Sequence, residues 1–309
     1  MVHVACDRRG TAIFGSWRRL IISFLDSVSA DADWANELAA LERSGHIAGP
    51  WVSEAIAWLG ETASGHPIEH IIDVGCGPGF AGCTFAETIP SAQISALDPT
   101  ALFLERTRQR AADLGIAHRI STFEGDIEST LPLLPDADLI WVSHVIHHLP
   151  DPVGALEVLG RKLTPHGRVA IAEGGLPMRV LPGGYGVGLP SFISRLEARL
   201  SDHHVNEWGL TPAAVGGARA WPVMLREAGL APRATRTFLL DHPAPVDDLV
   251  RAHVVGHFTH VRDAVGHLLD RADRAALDRL LNADDEASLV RRPDLFVLSA
   301  QTVHVAGPR

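Results

Sequence analysis

The sequence predicts an α/β fold, a doubly wound parallel sheet with helical additions, on three observations. Between residues 69 and 173, short apolar strands alternate with helical segments. Four glycines fall within eight positions directly after the first strand. The chain has 309 residues, 46% of them hydrophobic, which is enough to enclose a core. In such folds, helices cover both faces of the sheet and ligands bind beyond the carboxyl ends of the strands.

Residues 12–60 precede the sheet and predict a helical leader. Apolar residues recur there at helical spacing, in the sets Phe14, Trp17, Leu20, Ile21, Phe24 and Leu25, and Trp51, Val52, Ala55, Ile56 and Leu59. Four of the seven tryptophans lie in this leader. We expect it to form a cap packed on the core, and such a cap can also form one wall of a ligand site.

The alternating region predicts five strands and three helices. The strands are expected at 69–74, 93–98, 119–124, 137–143 and 167–173, and the helices at 79–89, 100–114 and 152–163. Gly115 closes the second helix, and Asp151 and Pro152 open the third as its N-cap and first helical residue.

The chain after residue 174 lacks this alternation. A glycine- and proline-rich stretch predicts a loop at 174–190. Helices are then expected near 191–202 and 221–229, a strand near 233–241, a long helical stretch at 246–282 and a last strand at 294–305.

The composition argues against several classes of function. The formal net charge is −10, whereas binding to nucleic acids or anionic membranes favours a basic surface. Three widely spaced cysteines fit neither a disulfide framework nor a zinc motif. No apolar run approaches the ~20 residues of a membrane span, and the apolar stretch after Arg8-Arg9 is interrupted by further arginines, unlike an export signal. We therefore expect a cytoplasmic protein without nucleic-acid or membrane partners.

The stretch IIDVGCGPGFAG allows two interpretations. Read from Gly77, it contains G-x-G-x-x-G, the dinucleotide pattern, and Asp98 would supply the acid some twenty residues on. An enzyme of the Tyr-x-x-x-Lys kind is excluded, because Tyr185 is the only tyrosine and no lysine follows it at that spacing. Read from Asp73, the stretch is D-V-G-C-G-P-G, an acid followed by G-x-G-x-G. In this interpretation the G-x-G-x-x-G pattern that starts at Gly77 is a coincidence, because its last glycine, Gly82, simply belongs to the helix that follows.

Further segments follow in order along the chain. After IIDVGCGPG come ALDPT, EGDIE, DLIWVSHVIHHLPDP and LGRKLTPHGRVAIAE. The first three lie at or around the ends of the second, third and fourth predicted strands, and the last leads into the fifth strand. In this order and spacing they resemble the class I S-adenosylmethionine-dependent methyltransferases, and within that class the small-molecule branch. The resemblance covers roughly 65–175. It implies a Rossmann-like sheet of seven mostly parallel strands with the last antiparallel, and helical insertions after the fifth and sixth strands.

The resemblance also divides the chain into four parts. Residues 1–65 would form the N-terminal helical cap and 66–175 the core that binds S-adenosyl-L-methionine. Residues 176–220 would form a substrate lid, and 221–309 the C-terminal part of the core with a helical insertion at 246–285.

The resemblance assigns residues to this cofactor. Gly75, Gly77 and Gly79 would let the backbone approach its amino-acid moiety, with Asp73 near the ammonium group. Asp98 would accept hydrogen bonds from both ribose hydroxyls, which suits a carboxylate.

The later motifs supply residues for the adenine ring and for the side of the cofactor that faces the substrate. Asp126 would accept from the adenine amino group while Ile127 packs on the ring, and Pro99, in ALDPT, would also contact the cofactor. Ser143 and His144 would line the cofactor on the substrate side.

Local alternatives exist for these assignments. Asp98 could cap the following helix, and Asp126 in its G-D-I turn could bind its own backbone. Cys76 is more simply a small loop residue than a nucleophile, because methyl transfer from a sulfonium needs none.

Histidines are the candidates for chemistry. A methyltransferase must hold the acceptor in line about 3 Å from the methyl group and, where needed, remove a proton. His148 matches the histidine of the H-L-x-D-P motif, with a structural role as open as a catalytic one, and His147 is a second candidate base. Glu173 should face the site, and Tyr185 could reach substrate from a lid.

A second set of histidines lies on one predicted helix. His253, His257 and His260 have i, i+4, i+7 spacing, but no glutamate accompanies them as in H-E-x-x-H. We therefore expect no metal site.

The acceptor is expected to be a small organic molecule, methylated at O, N or C by a monomer or homodimer. The fourth strand ends in Ser143-His144-Val145-Ile146 and lacks the (N/D)-P-P-(Y/F) sequence of enzymes that methylate exocyclic amines or side-chain amides. Two alternatives stay open: a NAD(P)-dependent oxidoreductase, and a protein that binds S-adenosylmethionine without transferring its methyl group.

Overall fold

The structure is a computed structural model that describes residues 32–62, 65–184, 186–207 and 221–309. The chain divides into two compact units, residues 1–39 and 40–309. Of the first unit only the beginning of helix α1 is described. The predicted helical positions before residue 32 and the predicted lid residue Tyr185 lie outside the described residues.

The second unit is built on a seven-stranded sheet with the order β3-β2-β1-β4-β5-β7-β6. Its strands are β1 His70–Val74, β2 Gln93–Asp98, β3 Ile120–Glu124, β4 Ala137–Ser143, β5 Leu163–Arg179, β6 Ala231–His242 and β7 Val297–Gly307. The first five pair in parallel, and β7 lies antiparallel between β5 and β6. The predicted sheet, with its last strand antiparallel, is confirmed.

Helices connect and flank these strands. They are α1 Ala32–Glu61, α2 Phe80–Thr88, α3 Ala101–Asp113, α4 Pro152–Arg161, α5 Phe192–Glu207, α6 Trp221–Glu227, α7 Asp248–Val265 and α8 Arg271–Leu281. Asp151 caps α4 by accepting a 2.9 Å hydrogen bond from the Gly154 amide, as its position before Pro152 predicts. No helix among the described residues combines the length and apolar character needed to cross a bilayer.

Two predicted segments differ from the structure. Residues 174–179, predicted as loop, continue β5 alongside β7 through register shifts. Gly175 allows this, because its φ is +137° and a Cβ there would collide with the backbone carbonyl of Ala300. The helical stretch predicted at 246–282 is two helices, α7 and α8, separated by a 3₁₀ turn at Gly266–Leu268.

The core holds the carboxyl ends of β1 and β4 in register. Trp141 on β4 pairs with Asp73 on β1, so both side chains project from the same face of the sheet. The indole of Trp141 packs against Trp51 of α1 at 6.3 Å and edge-on against Phe85 of α2 at 5.7 Å between ring centroids. The two helices are thus fixed over the face from which Asp73 projects.

Candidate functional site

The glycine loop between β1 and α2 requires glycine at more than one position. Gly75, Gly77 and Gly79 all have positive φ, at 67°, 52° and 81°. A Cβ on Gly75 would overlap the side chain of Val145, and one on Gly79 would come within 2.7 Å of Thr107. The loop therefore lies directly against the segment that follows β4.

Side chains from β2 and α3 hold this loop in place through hydrogen bonds to its backbone. The Gly77 amide donates to Asp98 Oδ2 at 2.9 Å, and the Thr107 hydroxyl donates to the Gly77 carbonyl at 3.0 Å. Arg110 Nε donates to the Pro78 carbonyl at 2.9 Å. Thr107 and Arg110 could not be predicted from the sequence, because each is one polar residue in an ordinary amphipathic helix.

Arg110 also joins the loop to α1. Its guanidinium lies 3.5 Å over the ring of Phe80 and donates to both oxygens of Glu42, at 2.7 and 2.8 Å. Arg106 donates to the same carboxylate at 3.0 Å. The Glu42 charge is thus shared by two arginines that stand behind the glycine loop.

Asp73 is a buried acid with an unused acceptor. Its side chain is 2% exposed, and Oδ2 has no hydrogen-bond partner among the described residues. The pKa of Asp73 is raised to about 7, mainly because the carboxyl is buried. The Gly82 amide lowers the pKa, and the negative charge of Asp98 raises it further. A buried carboxylate oxygen without a donor is costly, so this position favours a bound cationic or hydrogen-bonding group.

Gly82 has a packing role in this arrangement. A Cβ at this position would lie 3.0 Å from Asp73 Oδ2 and 3.5 Å from Ile94. The expectation that Gly82 is a coincidence of the continuing helix is therefore incomplete: its missing side chain lets α2 approach the acid on β1.

Asp98 does not cap α3, whose N-cap residue is Thr100, but it binds backbone amides on both sides and keeps further acceptor capacity. Oδ1 accepts from the Thr100 amide at 2.9 Å, at the start of α3, while Oδ2 accepts from Gly77. Burial raises its pKa, and these backbone donors act in the opposite direction. Each carboxylate oxygen offers two acceptor sites, so one on each remains for other donors. Pro99, next in the chain, is exposed.

Asp126 and Ile127 follow β3 at the same edge of the sheet. Asp126 Oδ1 accepts from the amides of Glu128 and Ser129 at 2.9 and 2.6 Å and from the Ser129 hydroxyl at 2.8 Å. This is the local turn considered from the sequence, and among the described residues Oδ2 has no hydrogen-bond partner. Ile127 is buried, and the preceding Gly125 amide donates to the Asp98 carbonyl at 3.1 Å.

The segment after β4 is fixed by one buried glutamate. Glu173, on β5 and 2% exposed, accepts from the amides of Val145 and Ile146, both at 3.0 Å, through Oε1. Its Oε2 lies 2.8 Å from His147 Nδ1. His144, with φ +55°, donates its amide to the Ala172 carbonyl at 3.2 Å. This arrangement places Ser143 and His144 at the carboxyl end of β4.

The charge of Glu173 determines the His147 tautomer. Burial raises the pKa of Glu173, but the His147 hydrogen bond, the charges of His147 and His144 and the Val145 amide together hold it below its ordinary value. Glu173 is therefore ionised at neutral pH and can only accept. His147 Nδ1 must then carry the hydrogen, which leaves Nε2 of the neutral ring as a proton acceptor.

The neighbouring histidines differ in environment. The His148 side chain is exposed, with its ring centroid 3.9 Å from that of His147. The His144 ring reaches solvent but is surrounded by protein atoms, and this desolvation lowers its pKa.

One group of side chains has the spacing of metal ligands. His144, His147 and Glu173 have ligand atoms within 4.8 Å of one another, and no other such group occurs among the described residues. The α7 histidines do not form one.

Comparison with known proteins agrees with this geometry. Residues 72–169 match the family model described as "Methyltransferase domain". The 27-O-demethylrifamycin SV methyltransferase of Amycolatopsis mediterranei is 28% identical over 65% of this chain and 65% of its own length. An uncharacterised methyltransferase of Schizosaccharomyces pombe is 28% identical over 56% of this chain and 64% of its own. The trans-aconitate 2-methyltransferase of an Azoarcus species is 32% identical over 33% and 37%.

The sheet order, the glycine loop and the matched segment together define a methyltransferase domain of the Rossmann-like type. Over this segment, residues 72–169, the chain is similar to the class I S-adenosylmethionine-dependent methyltransferases. It spans less than two thirds of the length of each of these three relatives.

Proposed function

We propose that the protein transfers a methyl group from S-adenosylmethionine to an oxygen, nitrogen or carbon atom of a small organic molecule. The observation that carries the proposal is the buried Oδ2 of Asp73, which has no hydrogen-bond partner among the described residues. It lies beside a loop in which a Cβ on Gly75 or Gly79 would overlap a neighbouring side chain. The cofactor's ammonium group would satisfy that oxygen, and the loop would accept its amino-acid moiety. When bound, the cofactor supplies a methyl group activated by a positive sulfur.

The remaining residues fit the other parts of the cofactor. Asp98 keeps acceptor capacity for two ribose hydroxyls after binding Gly77 and Thr100. Asp126 Oδ2 is available for the adenine amino group, and the buried Ile127 side chain provides apolar surface beside it. Ser143 and His144 would lie on the substrate side.

His147 is the proposed base where the acceptor loses a proton. Glu173 holds its Nδ1–H, so that Nε2 is the accepting atom. This assigns the catalytic role to His147 before His148, whose ring is exposed. Glu173 is a positioning residue, because it acts through His147 and through the Val145 and Ile146 amides.

Several finer expectations belong to this proposal. Residues 40–62, the described parts of the predicted lid at 176–184 and 186–207, and the α7–α8 region would enclose the acceptor. The protein would act in the cytoplasm as a monomer or homodimer, without nucleic-acid or membrane partners. No metal is assigned to the reaction.

Binding isotherms with S-adenosylhomocysteine and with NAD test the cofactor. The proposal expects S-adenosylhomocysteine to bind and NAD not to, and tight NAD binding alone would overturn it in favour of an oxidoreductase. A screen with methyl-labelled S-adenosylmethionine then tests transfer. Firm cofactor binding without product from any small acceptor would indicate a protein that binds the cofactor for another purpose.

A further inference from the structure

Three side chains near the carboxyl ends of β4 and β5 have the chemistry of metal ligands as well as the spacing. His144, His147 and Glu173 each offer one ligand atom, and these three atoms lie within 4.8 Å of one another. Ligand atoms on one tetrahedral ion lie about 3.4 Å apart, because each metal–ligand distance is about 2.0–2.2 Å. Side-chain movements of about 1 Å or less are therefore enough to bring these atoms around an ion.

The carboxylate of this group is held in one orientation. Glu173 is 2% exposed, and its Oε1 accepts from the amides of Val145 and Ile146, both at 3.0 Å. Its Oε2 is the oxygen that faces the histidines, at 2.8 Å from His147 Nδ1. Carboxylates that bind metal ions are commonly hydrogen bonded by their surroundings in this way. A cation beside Oε2 would also offset the cost of burying a negative charge.

The two histidines come from short segments whose backbone is fixed. His144 directly follows β4, and its amide donates to the Ala172 carbonyl at 3.2 Å. His147 lies in the 3₁₀ turn Ile146–His148, which starts at an amide bound by Glu173. The His144 and His147 rings are inclined by 82° with 6.2 Å between centroids, so neither ring stacks on the other. Each ring can therefore turn a nitrogen towards Glu173.

We propose that His144, His147 and Glu173 bind one divalent transition-metal ion of the zinc class. Two imidazole nitrogens and one carboxylate oxygen suit zinc, whereas magnesium and calcium prefer oxygen ligands alone. Two histidines and one glutamate are also a known set of protein ligands for zinc, in sites that keep the fourth position for water or a substrate oxygen. An ion between Glu173 Oε2 and His147 Nδ1 would take the place of the hydrogen that these atoms share.

This ion goes beyond the proposed function, which assigns no metal to methyl transfer. One consequence of it rests on that function. An ion held by His147 removes the Nδ1–H through which Glu173 orients the proposed base. Binding of the ion and proton removal by His147 should therefore exclude each other.

A zinc titration tests the site directly. The protein is prepared without an affinity tag of histidines, and zinc is added in competition with a chromophoric chelator. We expect one equivalent of zinc per chain to be withheld from the chelator. Magnesium in large excess should not displace this zinc, because it prefers oxygen ligands, and displacement would contradict the assigned class of ion.

Three variants localise the bound zinc. His144→Asn removes an imidazole and keeps a residue type that tolerates the positive φ of this position, +55°. It should bind zinc at least tenfold more weakly than the wild type. Glu173→Gln should do the same, because a neutral amide oxygen is a weaker ligand than a carboxylate. His148→Ala is the matched control, since its exposed ring lies beside that of His147 but outside the group of three ligands, and it should keep the wild-type affinity.

Several results would overturn the inference. They are a wild-type protein that withholds no zinc, equal zinc affinity in wild type and His144→Asn, and an equal loss of affinity in His148→Ala. Binding of S-adenosylhomocysteine to the zinc-free proteins is measured in the same preparations. It shows that the variants are folded, and it reports separately on the proposed function.

Discussion

Glu173 Oε2 lies 2.8 Å from His147 Nδ1, while the other oxygen of the same carboxylate receives the amides of Val145 and Ile146. One buried acid thus orients a histidine and shapes the backbone segment that carries it. The segment in turn packs on the glycine loop, because Val145 fills the space above Gly75. Changes at Glu173 should therefore reach both the proposed base and the cofactor loop.

Replacing His147 by alanine should lower kcat by about 10²–10⁴ if the acceptor loses a proton, the range usual for a general base. His148→Ala is the matched control, because its exposed ring lies next to that of His147. The control should keep near-normal turnover. The measurement is initial rate at saturating cofactor with an acceptor found in the labelled-methyl screen. Near-normal turnover of His147→Ala would remove this residue as the base.

Glu173→Gln should reduce kcat by changing the tautomer of His147. The amide can still accept from the Val145 and Ile146 backbone, but an –NH₂ group facing Nδ1 would move the ring hydrogen to Nε2. The pH profile of kcat should then lose the limb that reports the base, whereas a purely structural effect would lower the rate at every pH. Affinity for S-adenosylhomocysteine shows whether the loop is disturbed as well.

Asp98→Ala should weaken cofactor binding by about 1–3 kcal/mol, as expected for lost hydrogen bonds to a charged acceptor. It should also lower thermal stability, because the Gly77 and Thr100 amides lose their acceptor. Asp98→Asn retains one oxygen and should show a smaller effect on both. Calorimetric titration with S-adenosylhomocysteine measures the first quantity and thermal unfolding the second. Unchanged affinity in a well-folded alanine variant would limit Asp98 to holding the Gly77 and Thr100 amides.

The strands and the glycine loop could be predicted from the sequence because their causes are local. Apolar runs, glycines at fixed spacing and an N-cap before a proline are all read within a few residues. The extension of β5 could not, because Gly174 and Gly175 indicate a turn, and the pairing that keeps them in a strand comes from β7, more than a hundred residues later. The preference for His147 over His148 as the proposed base could not be predicted either, because it rests on a hydrogen bond with Glu173, 26 residues away along the chain.

Cofactor affinity should depend on pH through Asp73. The folded protein retains the Asp73 proton to about pH 7, against an ordinary pKa of 3.8, so raising the pH between these values destabilises the fold. An ammonium group beside the carboxylate favours its ionised form. Binding should therefore release a proton and be about tenfold weaker at pH 6 than at pH 8.

Titrations in buffers of different ionisation enthalpy measure this proton release directly. Asp73→Asn is the matched control, since it is nearly isosteric and cannot titrate. It should bind S-adenosylhomocysteine more weakly at pH 8 and with less dependence on pH. A wild-type affinity that stays constant from pH 6 to pH 8 would contradict an ammonium site at Asp73.

Gly75→Ala and Gly77→Ala should separate steric overlap from backbone strain in the loop. Both positions have positive φ, which costs an alanine about 1–2 kcal/mol. A Cβ on Gly75 also overlaps Val145, whereas one on Gly77 meets no atom within 4 Å in the structure. Gly75→Ala should therefore lose more thermal stability than Gly77→Ala.

If the amino-acid moiety of the cofactor occupies the open space at Gly77, Gly77→Ala should lose affinity for S-adenosylhomocysteine out of proportion to its loss of stability. Parallel losses of both quantities in the two variants would mean that the loop is only a turn.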